Sequence, residues 1–415
     1  MNKINEILKK ESEKISLSEK EIKNLGRLTS DICKRISEKI KNKKIKAEVF
    51  VGGSLAKETL VKKSAQDIDL FVRFDKRYGE LEISELLGEI VKGRGVRRIH
   101  GSRDYFVIKK GKISFEIIPV IKIKNPKHSR NITDLSYFHV KYVRDKIRKN
   151  KKLAEEIRLA KHFCHSQQCY GAEGYIHGFS GYALELLVIN YGGFLKFIKG
   201  CVKNKEGEKI VIDPAKFYRN KQDILWQLNE SKLTSPIIFI DPTFKERNAL
   251  AALSKETFER FKKTCKEFLS SPSESFFQKK EIREKKFNLV IKARTNRQEG
   301  DIAGSKLKKF YEFFSREIER YFLVKEREFK YDEKKSAIFY FSLKKKEKLI
   351  IYGPPITKVH NLLKFKKKHP RARVRNRVAV AVERNLVTSS KFLSQFSKKR
   401  KKEIKAMGIV ELKKD

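Results

Sequence analysis

The sequence predicts an α+β protein of more than one domain, with a mixed β-sheet and helices first, a helical middle, and an α/β C-terminal part. Three observations support this fold class. The length of 415 residues exceeds that of a typical single domain. The hydrophobic content of 40% is enough for folded cores. The hydrophobic pattern changes from strand-like near residues 47–121 to helical after residue 145, and alternates again after residue 287.

Residues 1–145 are predicted to form an α/β unit. Ser18 and Glu21 have the spacing of a capping box, and apolar residues then recur three and four positions apart, which predicts an amphipathic helix. Short apolar or alternating segments follow, separated by glycine-containing turns. The predicted strands are 47–51, 67–74, 105–109 and 113–121, and the last two form a hairpin through Lys110-Gly111.

Residues 146–275 are predicted to be helical. Leu153, Ile157 and Ala160 have the spacing of one helix face. A second, strongly apolar helix is expected over 181–198. Helical spacing returns over 248–270 and is broken by the Ser-Pro-Ser sequence that follows it. The middle of the chain is therefore expected to form a helical domain.

Residues 276–415 are predicted to form a mixed α/β part. Alternating segments begin at Phe287, and a helix is expected over 302–321. A turn is expected at Gly353-Pro354-Pro355, because glycine and proline both favour turns. The basic run 398–405 is expected to be a solvated extension and is a candidate RNA contact.

The charge of the chain indicates a polyanionic partner. Lys and Arg total 98 against 51 Asp and Glu, which gives a formal net charge of +47. A compact chain with this charge repels itself unless counterions or a polyanion offset the repulsion, so nucleic acid is the predicted partner. Adaptation of the whole proteome to salt or heat, or a codon bias toward lysine, would also produce such a charge.

Membrane and disulfide classes are not favoured. No stretch approaches the roughly 20 apolar residues that a membrane span needs, and the N-terminus lacks the apolar core of a signal peptide. A cytoplasmic protein without membrane contact is expected. The five cysteines contain no CxxC pair, so a disulfide framework or zinc ribbon is not supported. His162, Cys164, His165 and Cys169 are close enough to suggest a metal site, but their place on a helix with an apolar side favours packing.

Three acidic residues in predicted strands suggest metal chemistry. Asp67 and Asp69 are two positions apart and therefore share a strand face. Glu116 interrupts the apolar strand 113–121 and needs a partner there. If the two strands are neighbours, the three carboxylates could hold two metal ions, with Mg²⁺ favoured by the hard oxygen ligands. The spacing leaves equally open that Asp67 and Asp69 form surface ion pairs while Glu116 pairs with a lysine.

These residues lie in longer motifs that resemble a known family. The runs GGSLAKETL, DIDLFV and FEIIPV resemble the palm motif of the nucleotidyltransferase superfamily. The runs RLAKHF, CYGAEGYIHGFSGYALELLVINYGGF, FIDPTFKERNALAAL and YGPPI are similar, in order and spacing, to class I, archaeal-type CCA-adding tRNA nucleotidyltransferases. The resemblance extends from about residue 20 to about residue 390. It implies a catalytic palm at 1–145, a nucleotide-selecting domain at 146–275, and a tRNA-binding body and tail at 276–415.

The resemblance also implies roles for individual residues. Asp67 and Asp69 correspond to the family's metal-binding pair, and Glu116 to a third carboxylate that binds metal and helps to deprotonate the incoming 3′-hydroxyl. The family usually has Asp at this third position, so the longer Glu leaves the metal geometry open. The implied nucleotide-binding residues are Ser54, Lys57, His139, Lys161, Tyr170 and Arg247.

Within this set the resemblance implies different contacts. Ser54 and Lys57 correspond to triphosphate contacts, although the family often has Arg in place of Lys57. Lys161 and Tyr170 correspond to triphosphate and sugar contacts. Lys161 and Tyr170 are nine residues apart, which is two and a half helical turns and would place them on opposite faces of one straight helix. The helix that carries Lys161 is therefore expected to end near Gln168. The remaining two, His139 near the nucleotide and Arg247 at the base edge, complete the set.

The implied activity is template-independent addition of C, C and A to the 3′ end of tRNA from CTP and ATP, with two Mg²⁺ ions and release of pyrophosphate. The enzyme would hold the acceptor and T stems of tRNA by shape and phosphate. Two alternatives stay open, a poly(A)- or oligo(U)-adding nucleotidyltransferase and a non-catalytic RNA-binding protein with a relic palm. The sequence also leaves a monomer or a homodimer open.

Overall fold

The computed structural model describes residues 3–101, 103–205, 207–279, 282 and 284–415. These residues form two units. The first comprises the described residues of 1–172 and 176–280, and the second those of 173–175 and 281–415. Within the described ranges, no helix combines the length and the apolar character that crossing a membrane requires. The three-part division expected from the sequence stays a prediction.

A five-stranded mixed sheet forms the centre of the N-terminal half of the first unit. The elements of this half are α1 (Lys3–Ile15), α2 (Glu19–Asn42), β1 (Ala47–Val51), α3 (Gly53–Ala56), β2 (Gln66–Phe74), α4 (Glu80–Val91), β3 (Val96–Ile99), β4 (Tyr105–Lys110), β5 (Ile113–Ile121) and α5 (Ser136–Lys149). The strand order is β1-β2-β5-β4-β3. Strands β2 and β5 are parallel, and the other neighbours are antiparallel.

The sheet is covered by helices whose apolar faces the sequence predicts. The Ser18 side chain accepts a hydrogen bond from the Glu21 amide, and the Glu21 carboxylate accepts one from the Ser18 amide, so the predicted capping box begins α2. Ile32 and Ile36 of α2 are buried in the same core as Ile68 of β2. Each such side chain contributes about 1.5–3 kcal/mol when fully buried. This packing fixes β2 at the centre of the sheet.

The C-terminal half of the first unit is mainly helical. Its elements are α6 (Lys152–Ser166), α7 (Gly181–Tyr191), α8 (Phe194–Lys203), β6 (Ile210–Ile212), α9 (Lys221–Gln227), β7 (Ile237–Asp241), β8 (Phe244–Asn248) and α10 (Lys255–Ser270). The single helix expected over 181–198 is wrong, because Gly192 and Gly193 have φ values of +73° and +140° and separate α7 from α8. The helix expected from residue 248 begins only after the N-cap Ser254.

The second unit contains two antiparallel sheets. Its elements are β9 (Leu289–Thr295), α11 (Asp301–Ile318), β10 (Phe322–Tyr331), β11 (Ser336–Lys345), β12 (Lys348–Pro355), α12 (Val359–Lys368), β13 (Arg373–Arg375), β14 (Val378–Arg384), α13 (Ser389–Lys399), α14 (Lys401–Ala406) and β15 (Ile409–Lys414). One sheet has the order β10-β11-β9-β15 and packs against α11, and the other has the order β12-β14-β13.

One expectation for the second unit is corrected. The turn expected at Gly353-Pro354-Pro355 is instead the end of β12. Strand β12 is at the edge of its sheet, where proline is tolerated because its missing N–H faces away from the ladder. The pairing with β14 is irregular between Tyr352 and Pro355, as prolines in a strand require. The lysines of the basic run 398–405 are exposed, in agreement with the expected solvation, and the run is largely helical, since it covers the end of α13 and most of α14. Its contact with RNA stays a prediction.

Candidate active site

Three acidic side chains share one face of the N-terminal sheet. Asp67 and Asp69 lie on β2, and Asp69 pairs with Glu116 on the parallel neighbour β5. Ile68 and Leu70, which alternate with them, are fully buried on the opposite face. Because successive side chains point to opposite faces of a strand, the three carboxylates project together. We call Asp67, Asp69 and Glu116 the carboxylate face.

Burial and neighbouring acids raise the pKa values of two groups on the carboxylate face. Burial, with the charges of Asp69 and Asp67, raises the pKa of Glu116 to about 7. Burial also raises the pKa of Asp69, the charge of Lys57 opposes this shift, and the charge of Asp67 adds to it. A lysine partner for Glu116 does not occur among the charges that shift its pKa in the described structure. The lysine-paired interpretation of Glu116 is therefore not supported.

The carboxylate face has the chemistry of a divalent cation site. Carboxylate oxygens are hard ligands, which Mg²⁺ prefers. A cation would offset both the burial and the mutual repulsion that raise these pKa values. Among the residues that the structure describes, however, no three or more His, Cys, Asp or Glu side chains converge as a bound metal requires. The donor set therefore fits a divalent cation, while the side chains share a face without forming a closed coordination shell.

The turn after β1 holds the backbone against the carboxylate face. The Gly52 amide donates to the Asp69 carbonyl over 2.9 Å. Gly53 has a φ of +56°, and a Cβ atom on it would lie 1.6 Å from Asp69 Oδ2. Only glycine satisfies both the conformation and the contact. Ser54 follows directly in α3, so the turn keeps this predicted phosphate contact beside β2.

Lys57 and Lys161 are joined by a buried acid that sequence reasoning missed. Lys57 Nζ lies 2.6 Å from Glu185 Oε2, and Lys161 Nζ lies 2.8 Å from Glu185 Oε1. Glu185 is fully buried on α7, and the two lysine side chains are at most 9% exposed. Burial alone would raise the pKa of Glu185, but the charges of Lys161 and Lys57 lower it to about 2. We call these three residues the lysine–glutamate cluster.

The two lysines differ in how many donors remain available. Lys161 donates to Glu185, to Thr59 Oγ1 at 2.9 Å and to the Thr59 carbonyl at 3.4 Å. These three acceptors match the three N–H bonds of an ammonium group. Lys57 donates to Glu185 and lies 5.9 Å from the centre of the Tyr182 ring. To bind a phosphate, Lys161 must therefore give up one of its hydrogen bonds to Thr59 or Glu185, whereas Lys57 need not give up its bond to Glu185.

Tyr170 lies in the turn after α6. The helix ends at Ser166, and Gln168 has a φ of +55°, which confirms the expected end near this residue. Tyr170 then lines a cavity of about 240 Å³ together with Ser54 and Lys161. The structure thus brings three predicted nucleotide contacts to one cavity.

Arg247 and His139 meet at a second buried acid, Asp241. Arg247 Nη1 lies 2.6 Å and His139 Nε2 lies 3.1 Å from Asp241 Oδ2. Tyr182 Oη donates to Asp241 Oδ1 over 3.0 Å, and the Tyr182 ring stacks on His139 with a centroid distance of 4.0 Å. Arg247 also lines a separate cavity of about 280 Å³. The structure therefore joins the predicted His139 and Arg247 through Asp241.

Burial and charge set the protonation of this second group. Burial lowers the pKa of His139, although the hydrogen bond with Asp241 and its charge oppose the shift, and a lowered pKa favours the neutral imidazole. Burial would raise the pKa of Asp241, but the hydrogen bond from His139 and the charge of Arg247 hold it well below its usual range. A neutral imidazole that contacts a carboxylate through Nε2 carries its proton there.

Sequence reasoning missed four residues that contact the predicted lysines, His139 or Arg247, or the acids that bind them. They are Thr59, Tyr182, Glu185 and Asp241. Glu185 left a signal, because it is the lone charge in the apolar helix α7 and a buried charge requires a partner. Asp241 lies in the quoted run FIDPT, but its partners on α5, α7 and β8 are not visible from its neighbours in sequence.

The alternative metal site near His162 is not formed. His162 lies 3.4 Å from Glu11 and stacks on Phe277. Cys164 and Cys169 are fully buried in the helical core, where burial raises the pKa of the Cys164 thiol. No cluster of metal-ligating side chains includes them within the described ranges. Cys164 and Cys169 therefore pack in the core, whereas His162 and the exposed His165 line the cavity of about 240 Å³.

Models of known protein families match two parts of the first unit. A model described as a nucleotidyltransferase domain matches residues 33–139, and one described as the second domain of tRNA nucleotidyltransferase matches 155–278. The first range contains the carboxylate face, and the second contains Glu185, Asp241 and Arg247.

Relatives with similar sequences extend the likeness along the chain. The CCA-adding enzyme of Saccharolobus islandicus is 30% identical over 296 residues, which cover 69% of this chain and 68% of that enzyme. The CCA-adding enzyme of Methanocaldococcus jannaschii is 28% identical over 394 residues, which cover 90% and 86%. That of Nanoarchaeum equitans is 41% identical over 213 residues, 51% of this chain, and the chain spans about half (52%) of its length.

A solved structure shares the fold. A Cid1 poly(U) polymerase with bound Mg and 3′-dATP has a TM-score of 0.53 and 17% identity, and the match covers 67% of this chain and 99% of that chain. At this identity the likeness concerns the fold alone. With the nucleotidyltransferase match, it confirms the predicted mixed α/β palm.

Proposed function

The chain belongs to the family of CCA-adding enzymes, which are tRNA nucleotidyltransferases, and from this premise we propose that it adds C, C and A to the 3′ end of tRNA from CTP and ATP. The observation that carries the proposal is the position of the carboxylate face beside the Gly52-Gly53 turn in the first unit. Its carboxylate face adjoins a glycine turn, and the predicted triphosphate contacts lie around that turn. Acidic groups for the reacting centre and basic groups for the triphosphate are thus both present.

The proposed reaction is a nucleotidyl transfer. The terminal 3′-hydroxyl oxygen of tRNA attacks the α-phosphorus of the nucleotide, a new P–O bond forms, and the bond to the β-phosphate breaks to release pyrophosphate. We assign acceptance of the hydroxyl proton to Glu116, and the holding of two Mg²⁺ ions to Glu116 with Asp67 and Asp69. Such ions, when bound, supply positive charge that offsets the charge of the transferring phosphate.

We assign the triphosphate and sugar to Ser54, Lys57, Lys161 and Tyr170. Lys57 keeps more free donors for phosphate than Lys161 does, because its Nζ is engaged only with Glu185 among the side-chain hydrogen bonds of the described residues. Lys161 lines the cavity of about 240 Å³, and its donors are bound to Thr59 and Glu185. Ordered positive charge at a phosphate site reduces the reorganisation that the reaction requires.

Base selection is assigned to Arg247, with His139 beside it. A guanidinium group only donates hydrogen bonds. Cytosine N3 and adenine N1 are acceptors next to an amino group, whereas uracil and guanine carry an N–H at the equivalent ring position. An arginine that faces this position favours C and A and disfavours U and G by the same contact.

Binding of tRNA is assigned to positive charge along the chain. On α5, Lys141, Arg144 and Arg148 line a cavity of about 510 Å³ together with Phe50 and Tyr137, and such a mixture suits phosphates and stacked bases. We propose that residues 276–415 bind the acceptor and T stems. The affinity for tRNA should then fall about 10³-fold or more between 50 and 200 mM salt, as several phosphate contacts require. An unchanged affinity would favour codon bias as the origin of the charge.

The decisive experiment uses a tRNA transcript that lacks its last three nucleotides. Incubation with CTP alone should add two residues, and later ATP should add one and then stop. The double variant Asp67→Ala/Asp69→Ala should lose incorporation and keep tRNA binding. Long tails of A or U would indicate the other nucleotidyltransferase activity, and full function of the double variant would indicate a non-catalytic RNA-binding protein.

A further inference from the structure

Asp241 is the common partner of the two residues assigned to the base. It is fully buried at the end of β7, and its two oxygens are used differently. Oδ2 faces Arg247 Nη1 and His139 Nε2. Oδ1 accepts from Tyr182 Oη at 3.0 Å and from the amide and hydroxyl of Thr243 at 2.8 and 2.7 Å. Asp241 is thus held by Tyr182 and Thr243 and in turn holds Arg247 and His139.

This arrangement fixes the direction of the Arg247 guanidinium. Only Nη1 is engaged with Asp241, and in the described residues Nη2 and Nε have no acceptor among the hydrogen bonds that Arg247 makes. The side chain is 21% exposed and lines the cavity of about 280 Å³ together with Ser180 and Lys232. The guanidinium is therefore anchored at one nitrogen and can donate from the others.

Asp241 also determines what His139 can offer. Arg247 Nη1 also lies 3.4 Å from His139 Nε2, but the shorter contact of Nε2, at 3.1 Å, is with an Asp241 oxygen that can only accept. Nε2 therefore carries the proton, and Nδ1 is left as an acceptor. The Tyr182 ring stacks on the imidazole at an interplanar angle of 23° and limits its rotation. One carboxylate thus orders a donor, Arg247, and an acceptor, His139, in neighbouring positions.

We propose that Asp241 is a specificity-determining positioning residue, which acts through Arg247 and His139 to make the pocket accept C and A and reject U and G. The inference rests on the proposed function, because it concerns the nucleotide of that reaction. Asp241 does not touch the reacting atoms. Its effect is on which nucleotide is bound productively, since a misdirected donor loses a large fraction of its binding energy through poor geometry.

The test compares Asp241→Asn with Asp134→Asn. The amide side chain at position 241 keeps the shape of the carboxylate but removes its negative charge, so Arg247 loses a charged acceptor. Asp134 is a matched control, because it is also fully buried, pairs with Arg103 and accepts backbone amides, but contacts none of the assigned nucleotide residues. Steady-state kinetics with each of the four nucleotides are measured on a tRNA transcript ending before CCA, and thermal unfolding is measured in parallel.

The expected result is a change in the preference among the four nucleotides. Asp241→Asn should lower kcat/KM for CTP and ATP about 10- to 100-fold, the loss expected for a charge-assisted hydrogen bond, mainly through KM. The preference over UTP and GTP should fall by a similar factor. Asp134→Asn should lower stability with the preference unchanged. In an Arg247→Ala background, Asp241→Asn should add little further loss of preference, because the two residues act as one unit.

Several outcomes would overturn the proposal. One is an equal loss for all four nucleotides in Asp241→Asn, and another is full additivity with Arg247→Ala. If Asp241→Asn does not fold, Tyr182→Phe carries the test, because it removes one hydrogen bond to Asp241 and keeps the ring; an unchanged preference in that variant also overturns it. If the unaltered protein does not prefer CTP and ATP, the proposed function fails instead.

Discussion

Two groups of acidic side chains lie in the first unit, and their surroundings differ. In the lysine–glutamate cluster, Glu185 is fully buried between two ammonium groups, and their charges lower its pKa to about 2. On the carboxylate face, Glu116 has acidic neighbours, and its pKa is raised to about 7. The first group is balanced by the protein itself. In the second, the charge of Lys57 offsets Asp69 only in part, so the pKa of Asp69 stays raised.

The difference indicates what each group does. We expect the balanced cluster to stabilise the fold and, under the proposed function, to keep two basic groups in position for the nucleotide. A group of like charges costs stability, and such groups occur where function requires them. Removal of an acid should therefore have opposite consequences in the two places, with stability affected at Glu185 and activity affected at the carboxylate face.

The largest effect is expected for Asp69→Asn. Loss of this charge should reduce single-turnover incorporation by about 10³-fold or more, the scale of losing a central electrostatic contact. Because burial raises the pKa of Asp69, the neutral amide should leave the unfolding temperature unchanged or higher. The control is Asp75→Asn, just after β2, where the acid pairs with Arg77 at the surface. A destabilised Asp69→Asn with normal incorporation would reverse the comparison.

Glu185→Gln should affect stability. It leaves Lys57 and Lys161 buried without their carboxylate, which costs about 3–5 kcal/mol of the free energy of unfolding. Denaturant-induced unfolding measures this loss. The matched control is Glu155→Gln on α6, whose side chain is exposed and whose removal should change stability by less than about 0.5 kcal/mol. Equal stability of the two variants would show that the cluster does not stabilise the fold.

The two lysines should separate the roles within the cluster. Lys57→Met is expected to raise KM for CTP and ATP about 10- to 100-fold, because a charged hydrogen bond to phosphate is lost. Lys161→Met is expected to act mainly on stability, since its three donors are bound to Thr59 and Glu185. Steady-state kinetics and unfolding of both variants provide the measurement. If Lys161→Met instead raised KM and Lys57→Met instead lowered stability, the inference from the number of free donors would be wrong.

The smallest effect is expected in the pH dependence. The folded-state pKa of Glu185, about 2, lies below the ordinary value of 4.5, so the unfolded chain binds more protons between these values. The stability due to Glu185 is complete above pH 4.5 and is lost as the pH falls toward 2. The advantage of the natural protein over Glu185→Gln should shrink by at most about 1.4 kcal/mol per pH unit in this window. A constant difference between pH 5 and 3 would argue against the shifted pKa.

Much of the N-terminal sheet could be predicted because its signals are local. The hairpin of β4 and β5 was predicted from strand patterns on both sides of Lys110-Gly111. The two-residue spacing of Asp67 and Asp69 predicted a shared face, and the structure agrees. Helix α4 and strand β3 were not predicted, since their short patterns lack a decisive period.

The partners of buried charges could not be predicted. Lys57 and Glu185 are 128 residues apart, and Arg247 and His139 are 108 residues apart. Such pairs depend on how helices pack, which a single sequence does not display. The failed turn at Gly353-Pro354-Pro355 has the same origin, because whether proline is tolerated depends on the position of β12 at a sheet edge.

Strand β2 uses both of its faces, with Ile68 and Leu70 inside and Asp67 and Asp69 outside. Loss or gain of a single residue within this strand would exchange the two sets, so that carboxylates would enter the core and aliphatic groups would meet solvent. Frame-preserving deletions that are harmless in surface loops should therefore abolish folding here. Core formation and the proposed reaction chemistry thus depend on the same nine-residue segment.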